Sequence, residues 1–354
     1  MNLPEKSILN RWLVGVDVKL IIQIPCLNEA ETLAVTIADL PREIAGIDEI
    51  EYLVIDDGST DRTVPVAWEC GVHHVLSLGS NMGLARAFMA GIEKCLALGA
   101  DIIVNTDADN QYVGADIRCL VEPILAGEAQ IVVGARPIKS IEGFSPLKKL
   151  LQGLGSWVVR KASGTDIPDA PSGFRAYHKD AASRLYVLNT YSYTLETIIQ
   201  AGRKRIPMTS VPIRVNGELR PSRLFKSIPE YIGRSAKTII RVSVIYRPLA
   251  TFATIAVWIA LPAVLMIGRF VSLYLQGNGS GHVQSLVLSG ALLAIAFVVM
   301  MAGVLSDLIS ANRDLLQDIR ARQLRQAVPQ QKAEENDVST VLATKLRKIA
   351  SSGS

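Results

Sequence analysis

Cysteine is scarce and poorly placed for metal. Cys26, Cys70, Cys95 and Cys119 are the only four in 354 residues, and none has the close spacing of a zinc or redox pair. They read as reduced, structural residues. Glycine-rich phosphate loops are missing too. No Gly-x-Gly-x-x-Gly follows the first strand-like segment, which argues against a nicotinamide-dinucleotide domain. No Gly-x-x-x-x-Gly-Lys-Ser/Thr occurs, which argues against a P-loop nucleotidase. Residues 1–19 mix charges and hold no continuous apolar core, so no cleavable signal peptide is expected. The net charge of +4 is modest, and no nucleic-acid partner is expected.

Charge is absent from two long stretches near the C-terminus. Residues 248–268 carry none, Arg269 interrupts, and residues 270–306 again carry no formal charge apart from His282. Two spans, 249–275 and 283–305, are each long enough to cross about 30 Å of hydrocarbon. Residues 276–281 form a polar turn between them. Arg241 and Arg247 precede the first span; Arg313, Arg320, Arg322 and Arg325 follow the second; the turn has no Lys or Arg. The positive-inside rule then places both ends, and the large N-terminal region, in the cytoplasm. The protein is expected to be an integral membrane protein, of the cell inner membrane if bacterial. A buried helical hairpin of a soluble domain is the plainer alternative.

What is present in the first half is an alternation of strands and helices. Apolar strands are expected at 19–24, 51–55, 74–78, 102–105 and 130–133, with helices at 29–39, 61–70 and 83–98 between them. That order implies an α/β domain with a mostly parallel sheet. Polar motifs follow four of the strands: Pro25-Cys26-Leu27-Asn28-Glu29, Asp56-Asp57-Gly58-Ser59-Thr60-Asp61, Asn81-Met82-Gly83, and Asp107-Ala108-Asp109-Asn110-Gln111. Open α/β sheets bind ligands beyond the carboxyl ends of their strands. Turn and cap chemistry explains Thr60 and Asp61 well. It does not explain paired acids at both Asp56-Asp57 and Asp107/Asp109. Two carboxylates one residue apart at a strand exit suit a hard cation, Mg²⁺ or Mn²⁺, shared with a diphosphate.

Further on, 145–161 is expected to be an amphipathic helix, 169–175 a loop, 193–200 a helix and 208–215 a strand. From residue 219 a basic amphipathic stretch begins, with Arg234, Lys237 and Arg241 at spacings of three and four. Such a helix suits the membrane interface and anionic lipids. Residues 307–327 form a charged amphipathic helix, expected to pack against the N-terminal domain or another subunit. Beyond Val328 the composition turns polar and disorder is expected. The expected organisation is therefore 1–218, 219–247, 248–306, 307–327 and a tail at 328–354.

Together the four motifs resemble those of glycosyltransferase family 2. The Gln111 position, the later Ser172-Gly173-Phe174-Arg175 and a domain followed by two spans are similar to its polyprenyl-phosphate glycosyltransferases. The resemblance implies a GT-A, Rossmann-like catalytic domain, a UDP- or GDP-linked sugar donor and a polyprenyl phosphate acceptor. It implies that Pro25, Asn28 and Glu29 line the base and ribose pocket with Asp57, and that Asn81, Gly83 and Ala108 also face the donor. Asp107 and Asp109 would bind the metal bridging the diphosphate, and Gln111 would position sugar or phosphate. Arg175, Arg220 and Arg223, with Ser222, are the candidates for lipid-phosphate contact, because the guanidinium fork matches phosphate.

Many relatives carry an acid directly before the Phe-Arg pair, where this chain has Gly173. Asp169 and Glu196 are the candidates for a catalytic carboxylate in its place. A phosphate monoester with a second pKa of about 6 is already largely dianionic at neutral pH, so a general base is not obligatory. Two readings stay open beside this one. One is a processive or other membrane glycosyltransferase using a sugar hydroxyl, although no Gln-x-x-Arg-Trp is present. The other is a non-catalytic nucleotide-binding scaffold. A two-span anchor also leaves room for homo-oligomerisation.

Overall fold

The computed structural model describes residues 17–137, 160, 163–187, 193–216, 241, 244–277 and 283–351, with side chains described to residue 323. Its first strand, β1 (Lys19–Cys26), is the run Lys-Leu-Ile-Ile-Gln-Ile-Pro-Cys, buried from Leu20 onward. An apolar run without alternation is what a central strand covered on both faces requires. The chain continues through α1 (Leu33–Asp39), β2 (Glu49–Asp56), α2 (Thr63–Glu69), β3 (His74–Ser77), α3 (Leu84–Ala97) and β4 (Ile102–Asn105). After a 3-10 turn at Gly114–Asp116 come α4 (Ile117–Leu125), β5 (Ile131–Ala135), β6 (Arg175–His178), α5 (Lys179–Arg184), α6 (Thr194–Arg203) and β7 (Met208–Pro212).

These seven strands form one sheet in the order β3-β2-β1-β4-β6-β5-β7. β3, β2, β1 and β4 are parallel neighbours, so their carboxyl ends share one edge. β6 runs antiparallel between β4 and β5, with Asn105 opposite Arg175. The β4 exit and the β6 entry therefore meet at the same edge. β7 pairs parallel to β5. The main core lies on one face, where Leu20, Ile22 and Ile24 of β1 meet Leu33 and Ile37 of α1 and Ile117, Leu120 and Val121 of α4.

The expected strands and helices are present with shifted ends. α1 starts at Leu33 rather than at 29, because Asn28 adopts φ 55° and Glu29–Thr32 form a turn. Within the segment expected as the loop 169–175, Arg175 already opens β6. The helix expected at 145–161 lies almost wholly outside the described residues.

The chain divides into two compact units: Met1–Lys226 with Gln317–Ser354, and Ser227–Leu316. In the second, α7 (Pro248–Leu275) and the first part of α8 (Val283–Ser351) are both long and apolar enough to cross a membrane. At 28 residues, α7 extends about 42 Å at 1.5 Å per residue. Large apolar side chains face outward: Trp258 is 69% exposed, Leu265 66% and Phe297 66%. The core helix of a soluble domain would bury them. The two helices pack closely at Gly303, where a Cβ would come within 2.7 Å of Phe252 Cβ.

α8 does not stop where the polar tail begins. Disorder is expected beyond Val328, yet the helix runs to Ser351. Ala, Gln, Lys, Glu and Leu, all good helix formers, make up about half of this stretch, against Pro329 and the weaker formers Asn336, Asp337, Thr340 and Thr344. Past Gln317 the helix packs within the first unit. Arg320 hydrogen-bonds Glu93 of α3, donates to the Leu185 carbonyl at 3.3 Å, and lies 4.6 Å over the Tyr186 ring.

Candidate active site

Three loops at the sheet edge are tied together by side chains that bond main-chain groups. Asn28, just past Pro25 and β1, accepts from Thr60 N at 2.8 Å through Oδ1, and its own N–H donates to Ser59 Oγ at 3.0 Å. The Glu29 N–H donates to Thr63 Oγ1 at 2.9 Å. Asp56 accepts from Ser59 N and from Ser77 Oγ, at 2.9 and 3.0 Å. Asp57 is 4% exposed; its two oxygens accept from Met82 N at 2.7 Å and Gly83 N at 2.9 Å. Asp57 thus fixes the loop carrying Asn81 and Gly83. A Cβ on Gly58, whose φ is +80°, would come within 2.6 Å of the Ser80 main chain, so this approach needs a glycine.

The fourth loop leaves β4. Its base is a buried polar chain in which Gln23 Nε2 donates to Asn105 Oδ1 at 2.9 Å. Asn105 Nδ2 donates in turn to the Gly173 carbonyl at 3.0 Å and the Tyr193 hydroxyl at 2.9 Å. Above it, the Ala108 carbonyl accepts from Thr36 Oγ1 at 2.9 Å, and Asp109 Oδ1 accepts from Gln111 N at 3.1 Å. Asn110 takes φ 55°, and the Gln111 carbonyl accepts from Asn216 N at 2.9 Å. Asp107 sits between these layers. Burial, and then the neighbouring Asp109 charge, push its carboxyl up to about 7, against the opposing pull of Arg136 and a Tyr112 hydrogen bond.

A carboxyl held out of water beside a second one is a condition that a bound cation relieves. Among the described residues no group of three or more His, Cys, Asp or Glu forms a protein-only cage. Mg²⁺ characteristically binds through one or two carboxylates and completes its shell with water and substrate phosphates. Asp107 and Asp109 fit a divalent cation on that basis.

Several residues around this centre were not singled out from the sequence. Arg136, at the exit of β5, clasps Asp169 through Nε and Nη2 at 2.7 and 3.0 Å. The carboxyl-end rule extended to the fifth strand would have found it. Tyr112 stacks on Phe174 with ring centres 4.8 Å apart, and its hydroxyl accepts from Gly173 N at 3.2 Å. Tyr193 stacks on Phe88 at 3.9 Å. Asp169 itself is 1% exposed, bound to Arg136 rather than open to a substrate.

Arg175 differs most from expectation. It is 0% exposed, and its guanidinium donates to the carbonyls of Ser172, Thr194 and Ala170 and to Thr197 Oγ1 at 2.6–2.8 Å. With those donors spent inside the fold, it is unsuited to a lipid phosphate. Glu196, in the first turn of α6, is 7% exposed and accepts from Gln200 Nε2 at 3.4 Å. Arg220, Ser222 and Arg223 lie outside the described residues, as does nearly all of the expected interfacial segment 219–247.

A mostly parallel α/β sheet gathers four polar loops and an acid pair on one edge, where open sheets of this kind bind ligands. The chain belongs to glycosyl transferase family 2, whose sequence model matches residues 21–186. A UDP-N-acetylglucosamine–dolichyl-phosphate N-acetylglucosaminyltransferase of Methanococcus voltae is 30% identical over 54% of this chain and 83% of its own. An undecaprenyl-phosphate mannosyltransferase of Micrococcus luteus is 30% identical over 57% of this chain and 85% of its own. Among solved structures, glucosyl-3-phosphoglycerate synthase of Mycobacterium tuberculosis, in complex with Mn²⁺, UDP and phosphoglyceric acid, superposes with a TM-score of 0.51 at 19% identity. It covers 68% of this chain and 81% of that one, a likeness of fold.

Proposed function

We propose that this protein transfers a sugar from a UDP- or GDP-linked donor to a polyprenyl phosphate at the cytoplasmic face of a membrane. The observation that carries the reading is the Asp107/Asp109 pair at the β4 exit, two neighbouring carboxylates of which the more buried, Asp107, is pushed up to about 7 by burial and by the charge of the other. The names of the relatives from Methanococcus voltae and Micrococcus luteus support a lipid phosphate acceptor. The two long apolar helices support a site beside a membrane.

In this reading Pro25, Asn28 and Glu29 line the base and ribose, and Asp57 holds the Asn81–Gly83 loop against the donor. Asp107 and Asp109 hold Mg²⁺ or Mn²⁺, which when bound offsets charge on the departing diphosphate. Gln111 and Ala108 border the diphosphate and sugar. An oxygen of the acceptor phosphate forms a bond to the anomeric carbon while the bond from that carbon to the diphosphate oxygen breaks. The electron pair leaves with the nucleoside diphosphate, and the anomeric centre inverts. The acceptor is already anionic, so no residue need remove a proton. Asp169 then orients Arg136, and Arg136 offers a cation beside Asp107 for phosphate. Arg220, Ser222 and Arg223 contact the lipid phosphate from the interface, and Glu196 supports α6.

The test is a transfer assay on the purified full chain with undecaprenyl phosphate, Mg²⁺ or Mn²⁺, and a panel of UDP- and GDP-sugars. A glycosylated lipid phosphate released with free nucleoside diphosphate is the expected result. Metal-dependent nucleotide binding with no lipid product from any donor would overturn the acceptor.

A further inference from the structure

Gly173 is not a glycine for the sake of its backbone, since it is absent from the residues with positive φ. What it does is leave a space empty. A Cβ there would stand 2.9 Å from the Tyr193 hydroxyl and 3.2 Å from each of the two Asp107 carboxylate oxygens. All three distances are shorter than ordinary carbon–oxygen packing. The missing side chain therefore points at the acid of the β4 loop, and Asp107 occupies the room it vacates.

Three of the four groups that meet here are fixed. The Gly173 peptide is held at both ends: its N–H donates to the Tyr112 hydroxyl at 3.2 Å, and its carbonyl accepts from Asn105 Nδ2 at 3.0 Å. Tyr112 is stacked on Phe174. Tyr193 is 1% exposed, stacked face to face on Phe88 and bonded to Asn105, which is itself bonded to Gln23. Moving Tyr193 would disturb a fully buried polar chain and an aromatic stack. Close-packed interiors transmit such strain to whichever group can give. Of the two side chains a Cβ would crowd, the one with more room to give is the Asp107 carboxylate, in a loop beyond the strand end and held by a hydrogen bond to Tyr112.

We propose that Gly173 is a positioning residue for the cation site: its lack of a side chain sets where the Asp107 carboxylate stands relative to Asp109. This rests on the reading of Asp107 and Asp109 as cation ligands. Groups that orient a ligand without touching the metal commonly govern affinity by about 10–100-fold. On the same geometry an acid in place of Gly173 is expected to weaken the site. Its Cβ alone would crowd Asp107, and its charge would repel it.

The experiment is Mn²⁺ binding to the solubilised full chain, read by electron paramagnetic resonance. It is combined with thermal unfolding of the metal-free protein and with the dependence of transfer on Mn²⁺ concentration. Gly173→Ala is expected to weaken Mn²⁺ about tenfold or more. The metal-free protein stays folded, with a midpoint lowered by the 2.9 Å contact with the Tyr193 hydroxyl, and excess Mn²⁺ largely restores turnover. The double variant Gly173→Ala/Tyr193→Phe, which removes the nearest oxygen but leaves both Asp107 contacts, is expected to bind as weakly. Wild-type affinity in Gly173→Ala would overturn the inference, as would restored affinity in the double variant. Loss of the metal-free fold in Gly173→Ala would also overturn it, because the strain would then fall on the Tyr193–Asn105–Gln23 chain. Failure of the wild type itself to bind Mn²⁺ is a separate result, which removes the cation reading on which the inference rests.

Discussion

Arg136 grips Asp169 with both prongs of its guanidinium, and its own main-chain N–H adds a third bond to Oδ2 at 3.2 Å. The acid side chain is 1% exposed and the arginine 13%. Taking away one partner of a buried pair strands the other charge, at a cost of about 3–5 kcal/mol. Asp169→Asn is therefore expected to lose about 3 kcal/mol in urea unfolding, with activity falling in step with stability. Unchanged stability with a lower kcat would instead make Asp169 a group that meets the substrate.

Asp109 is partly exposed, and the structure gives it a hydrogen bond from the Gln111 N–H of its own loop. Asp109→Ala should leave the unfolding midpoint close to wild type while transfer drops by about 100-fold or more, the scale of losing one preorganised electrostatic contact in a transition state. Parallel assays of transfer and thermal unfolding check this. Near-normal activity would remove the metal role.

Asp57 works through the loop it holds. Hydrogen bonds to a charged group contribute about 1.5–3 kcal/mol each, and Asp57→Ala removes two of them, to Met82 N and Gly83 N. The expected outcome is a destabilisation of about 2 kcal/mol or more together with a raised KM for the donor. Urea unfolding and a donor titration measure the two effects. A raised donor KM with no loss of stability would mean direct contact with the nucleotide instead.

The first three strands carry a pH-sensitive cluster. Burial pushes the Glu51 carboxyl up, but hydrogen bonds and charge from Lys19 and His74 outweigh it, so the group lies below its usual 4.5. A carboxyl lowered on folding contributes stability above its unfolded value, and that contribution fades as pH falls through the folded value. Lys19, raised above 10.5 despite burial by its bonds to Glu51 and Glu49, loses its share only as pH rises past that range. Urea stability measured from about pH 7 down to about pH 3 should show an acid limb that Glu51→Gln flattens. An unchanged limb would assign acid sensitivity to other carboxylates.

Much of this architecture is legible from residue order because buried parallel strands are written as unbroken apolar runs. β1 and β4 need no partner to be recognised, and each ends in the polar motif that follows it. β6 is illegible for the opposite reason. Its four residues, Arg175-Ala176-Tyr177-His178, look like loop, and a fully buried arginine contradicts every expectation from composition. The carbonyls of Ala170, Ser172 and Thr194 and the Thr197 hydroxyl make that burial tolerable. The acids of the site were likewise visible, but their partners were not. Arg136 and Asp169 lie 33 positions apart, and nothing local in either segment announces the other. Beyond Val328 polarity suggests disorder, whereas the backbone continues α8 to Ser351.

The reversal of β6 has a consequence for how the edge is shared. In a wholly parallel sheet every loop at the carboxyl edge is a departure, committed to the helix that follows its strand. Because β6 runs the other way between β4 and β5, the edge also receives an arrival, the segment ending in Ser172-Gly173-Phe174. An arriving segment is tethered on its far side to β5 by nearly forty residues, Arg136 to Phe174, rather than to a short crossover. Arg136 near one end of that stretch and Asp169 near the other are clasped together, so the departure from β5 and the arrival at β6 meet as an ion pair. One strand set against its neighbours thus brings two segments, one leaving and one arriving, to the edge that the β1, β2 and β4 loops share.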